Sequence, residues 1–134
     1  MDERGGTYAL YLKLDEGAEI SVGRLGVFSF PAGYYVYVGS ALGSGGLRAR
    51  LARHQRRDKK LHWHIDYFLT RASIVGVQVD FSGERLECHW AQLWLRIPGA
   101  QIIAPRFGAS DCHCIAHLIY AGKDNVFILA FGSA

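Results

Sequence analysis

A chain of 134 residues, half of them hydrophobic, has the size of one ordinary domain and enough apolar side chains to bury a proper core. Its longest apolar runs, such as VFILAF, fall far short of the roughly 20 residues a membrane helix needs, and no signal-peptide pattern opens it; a cytoplasmic protein with reduced cysteines is expected. A net charge of +3, from 15 Lys and Arg against 12 Asp and Glu, permits nucleic acid as a partner without arguing for it.

GTYALYLKL (6–14) alternates and is rich in β formers, which predicts a strand; EISVG, after the Asp15-Glu16-Gly17 turn, is its expected hairpin partner. Pro31-Ala32-Gly33 resets the chain for a third strand, YYVYVGS. From Gly46 to about Arg57 the pattern is helical, and a second short helix is expected near HIDYFLTRA. SIVGVQVDF reads as a strand and GERLECHWAQLWLRI as an amphipathic helix stopped by Pro98-Gly99, with Leu86, Leu93 and Ile97 marking its core side. CHCIAHLIYA and NVFILAF close the chain as strands paired through the Gly122–Asn125 turn. The expectation is one α+β domain over 1–134: a small antiparallel sheet of three or more strands flanked by helices, with an extra C-terminal β-hairpin.

Positive charge is concentrated. Between Arg48 and Lys60 seven Lys or Arg stand against one acid, Asp58. At 100° per residue, Leu47 and Leu51 define the buried stripe of that helix, and Arg50 and His54 fall on it. An arginine leaning toward a core must meet an anion or leave its charge poorly solvated. Arg53 and Arg56 lie further round, where a solvated cation is ordinary. Glu87 sits in the row of Trp90, Ala91 and Trp94, so its carboxylate is either paired with an arginine or reserved for a metal or a proton. The glycine-rich GSALGSGG lacks both a P-loop ending and dinucleotide-binding spacing, which leaves a flexible turn whose amides can approach an anion.

Taken in order, these residues resemble the GIY-YIG nuclease superfamily, and more narrowly its small Uri-type branch, sometimes found attached to endonuclease III. The half-motifs are Gly6-Thr7-Tyr8 and Tyr37-Val38-Gly39, followed by Ser40-Ala41. Leu47-x-x-Arg50, His54 and the helix bearing Glu87 come after, so the likeness covers residues 6 to about 95; HWHIDYFL and FGASDCHCIAHLIY extend it to about 120. The long separation of Tyr8 and Tyr37, and Ser40 where repair-type relatives often carry lysine, depart from the pattern.

The resemblance implies hydrolysis of a phosphodiester bond in nucleic acid, DNA being the first expectation, with a repair or processing role. Glu87 would hold Mg²⁺ or Mn²⁺, a hard cation that takes oxygen ligands. Arg50, forked and permanently charged, would bind the scissile phosphate and its transition state. Tyr8 and Tyr37 would orient or deprotonate the attacking water, and His54 would share the phosphate or relay a proton. Gly39, Ser40, Arg53, Arg57, His62, His64 and Asp66 are the expected substrate contacts, His62 and Asp66 sharing one helix face. Two other readings compete: a weakly catalytic adaptor of the same fold that only binds nucleic acid, and a zinc protein using Cys88, Cys112, Cys114 and His117.

Overall fold

The computed structural model describes residues 5–41, 46–82, 86–109 and 115–124. Strands β1 (Gly6–Leu14), β4 (Gly33–Ala41), β5 (Ser73–Asp80) and β6 (Leu118–Gly122) form an antiparallel sheet in the order β5-β1-β4-β6. Among the described residues, strands β2 (Ala18–Val22) and β3 (Gly26–Phe30) pair only with each other, through the 3-10 turn Gly23–Leu25. Helices α1 (Gly46–Gln55), α2 (His64–Phe68) and α3 (Glu87–Leu95) complete the α+β fold. No helix among the described residues is long and apolar enough to cross a membrane.

Two sequence expectations change here. EISVG is not the partner of β1, because β4 and β5 occupy both of that strand's edges. Its partner is GVFSF, whose alternation places Phe28 and Phe30 inward and Val27 and Ser29 outward. The expected C-terminal hairpin is represented by β6 alone, since 110–114 and 125–134 lie outside the described residues.

Alternation along β1 divides the core into two layers. Tyr8, Leu10, Leu12 and Leu14 join Tyr35, Tyr37, Leu47, Ile65 and Phe68 on the face covered by α1 and α2. Ala9 and Tyr11 join Val36, Val38, Ile119 and Ala121 on the other face, under α3. The expected core side of α3 is corrected: Leu93 is 42% exposed, and Trp90, Ala91, Trp94 and Leu95 face the sheet instead. The large indoles have more area to bury than the leucines, and turning them inward carries Glu87 in with them. At the outer edge β5 bears Val75, Val77, Val79 and the following Phe81, all exposed.

Candidate active site

The register of β1 against β4 brings the two half-motifs together although 28 residues separate their tyrosines: Tyr8 lies opposite Gly39, with Tyr37 diagonal to it on the same face. The phenol rings stand 6.4 Å apart between centroids. Gly39 explains how they fit. A Cβ there would lie 2.6 Å from both Cζ and the hydroxyl oxygen of Tyr8, so the bare glycine backbone is the floor on which the ring rests. Gly39→Ala should therefore cost about 1–3 kcal/mol by overpacking, read as a drop in the urea midpoint. That cost should shrink in a Tyr8→Ala background, where the clash is gone.

Helix α1 supplies the nitrogen groups from above. Leu47, Leu51 and His54 recur at helical spacing, which seats His54 in the core at 2% exposure. A 2.7 Å hydrogen bond joins its Nε2 to the Tyr8 hydroxyl, while Nδ1 has no hydrogen-bond partner among the described residues. Burial, then the charge of Lys59, holds the His54 pKa down at about 3, so the ring is neutral at physiological pH. Arg50 donates from Nη1 to the Ser40 carbonyl at 3.0 Å and lies within hydrogen-bonding reach of Tyr8. Its guanidinium also covers the Trp63 ring at 4.3 Å.

Burial pushes the Tyr8 phenol up to about 12 despite Arg50, and Tyr37 well above the ordinary tyrosine value. Both phenols therefore keep their protons at neutral pH. Of the two roles expected for them, orienting a bound water fits this environment, and the neutral His54 imidazole holds the Tyr8 hydroxyl in place.

Glu87 starts from the opposite layer. It is the first residue of α3, 5% exposed, and its charge acts on the Tyr37 phenol. Leu86 N–H donates to Thr7 Oγ1 at 3.0 Å, which fixes the start of the helix to the strand that carries Tyr8. Among the described residues no three His, Cys, Asp or Glu gather into a metal cage. A lone carboxylate fits Mg²⁺ or Mn²⁺ all the same, because such ions keep several waters and borrow substrate oxygens.

The expected substrate residues divide. Arg53 does not project into solvent: it grips the fully buried Asp66 through two 2.9 Å hydrogen bonds and also lies over the Trp63 ring, at 4.1 Å. Trp63, in contact with two guanidiniums, is the site residue that sequence reasoning passed over; an aromatic following a basic helix was its signal. His62 and Asp66 do not share a helix face, since α2 begins only at His64. Instead the Asp66 carboxylate accepts the backbone N–H groups of His62 and Trp63, each at 2.8 Å. His64 Nδ1 accepts the Gly108 N–H at 2.7 Å and so holds the 104–109 turn, whose Phe107 packs on Tyr37. Arg57 is exposed beyond the end of α1.

The zinc reading loses a ligand, because Cys88 is disulfide-bonded, contrary to the expected reduced thiols; Cys112 and Cys114 lie outside the described residues.

Acid should loosen this fold. Unfolded His54 takes up a proton below about pH 6.5, whereas the folded ring resists to about 3, so stability falls as pH drops through that window. Burial alone would raise the Asp66 carboxyl, but the hydrogen bonds from Arg53, Trp63 and His62 hold it below the ordinary value, and that stability is lost at still lower pH. Urea midpoints measured between pH 7 and 5 should decline, and His54→Gln should flatten the slope, which is at most about 1.4 kcal/mol per pH unit for one proton.

A family model described as a domain of unknown function, DUF123, matches residues 7–131. No curated protein and no solved structure matches the chain.

Proposed function

The chain belongs to DUF123, a domain family of unknown function, and from the side chains that meet at Tyr8 we propose that it is a divalent-metal-dependent endonuclease cleaving phosphodiester bonds in nucleic acid. The observation that carries this reading is one arginine and one neutral histidine from α1 meeting two phenols from adjacent strands, with a buried carboxylate whose charge acts on one of the phenols. The motifs resembling the GIY-YIG nucleases, Uri-type branch, point the same way, and with them DNA as the substrate and repair or processing as the role.

Phosphodiesters resist hydrolysis because their negative charge repels the attacking oxygen, so a catalyst must supply positive charge and remove a proton. Arg50 supplies the charge. Held by the Ser40 carbonyl and the Trp63 face, its fork meets a phosphate without having to be reoriented. The Tyr8 and Tyr37 hydroxyls position the water, and Nε2 of the neutral His54, which burial makes a poor store for a proton, fixes the orientation of the Tyr8 hydroxyl. Glu87 would hold Mg²⁺ or Mn²⁺. The ion, when bound, stabilises charge on the departing oxygen.

Labelled single-stranded, duplex, flap and abasic DNA, incubated with Mg²⁺ or Mn²⁺, test the proposal. Cutting should require the ion, and Glu87→Gln should abolish it together with Mn²⁺ binding followed by electron paramagnetic resonance. Equal cutting by Glu87→Gln would overturn the assignment.

A further inference from the structure

Beside His54, a cavity of about 420 Å³ opens between the end of α1, the 59–61 segment, α2 and the start of β5; Tyr8 is not among its lining residues. Its volume suits one small organic ligand. Arg56, Arg57 and Lys59 line one wall, and Leu69, Ala72 and Ile74 line the other.

The charge balance favours an anion. Asp66 also borders the cavity, but both its oxygens are engaged by Arg53. A helix C-terminus ordinarily repels anions, yet Lys59 Nζ donates to the Arg53 and His54 carbonyls at 3.2 and 2.8 Å and neutralises that end. Arg56 and Arg57 are left exposed with their donors available to a ligand. The apolar wall asks for something more than a bare oxyanion: a flat, weakly polar body attached to it. His54 is common to this cavity and the catalytic cluster, and its Nδ1, without a partner among the described residues, is a buried polar atom that a ligand could satisfy.

We propose that this cavity is a nucleotide subsite: it takes one nucleoside with its phosphate, the phosphate on Arg56 and Arg57 and the base against Leu69 and Ile74. As a substrate subsite, where a neighbouring nucleotide of the strand sits while Arg50 holds the scissile phosphate, it rests on the nuclease reading. As a pocket for a nucleoside monophosphate it does not.

Titration of the full chain with AMP or CMP, with the matching nucleosides and with inorganic phosphate, followed by ¹H–¹⁵N spectra, separates the possibilities. The monophosphates should bind at least about tenfold more tightly than either fragment and shift the Gln55, Thr70 and Ser73 amides and the His54 ring. The double variant Arg56→Ser, Arg57→Ser, altered only at exposed positions, should weaken binding by about tenfold or more. Ser73→Trp, an exposed strand position at the rim, should block it independently. Phosphate binding as well as nucleotide, shifts elsewhere on the molecule, or unchanged affinity in both variants would each overturn the proposal. Nucleotide binding here with no cleavage of any strand would keep the pocket and remove the nuclease reading. Wild-type KM in the double variant with cleavage intact would do the reverse.

Discussion

Arg50→Ala is expected to slow strand cleavage by about a thousandfold while costing the fold only about 1–2 kcal/mol. The two effects separate because Arg50 contributes to the two states differently. In the free protein its guanidinium makes one hydrogen bond to a neutral carbonyl and stacks on Trp63, interactions that are modest singly. In the proposed reaction it would face charge accumulating on the phosphate beside the buried Tyr8 and His54 side chains, where a fixed cation acts far more strongly than in water. Arg50→Lys should recover a minor part of the rate, because an ammonium keeps the charge but loses the planar fork. Cleavage rates and thermal melts on the same preparations check both halves; an Arg50→Ala protein that cuts at the wild-type rate would refute the role.

Asp66→Ala should be the most damaging single change to stability, about 3 kcal/mol or more by chemical denaturation. The side chain is completely buried and accepts four hydrogen bonds, two from Arg53 and one each from the His62 and Trp63 backbones. Its removal strands two N–H donors and an arginine that is four-fifths buried. Asp66→Asn should cost less, since an amide oxygen can still accept from the backbone. Because Asp66 holds both the Trp63 backbone and Arg53, and Trp63 supports Arg50, Asp66→Ala should also lower cleavage in the molecules that remain folded.

The paired tyrosines, the inward histidine and the buried glutamate could be read from spacing, because strands repeat every two residues and helices every 3.6. The face of α3 could not be read so simply: leucines and tryptophans lay on different sides, and only the sheet surface beneath decides which to bury. The β2–β3 ribbon hid for a related reason, since a short strand's partner is fixed by which edges are already taken. Arg53 and Asp66, 13 residues apart, gave no periodic signal of their pairing. That ion pair depends on the turn after α1, which no local pattern encodes.

The open flank of β5 bears on how the protein behaves when concentrated. A strand that no other described strand flanks on its outer margin, bearing a valine row, invites another chain to extend the sheet, the usual seed of aggregation. The register break opposite Tyr11 and Leu12 kinks this margin near Val75, which leaves only Gly76 to Asp80 as an uninterrupted template, too short for a durable match.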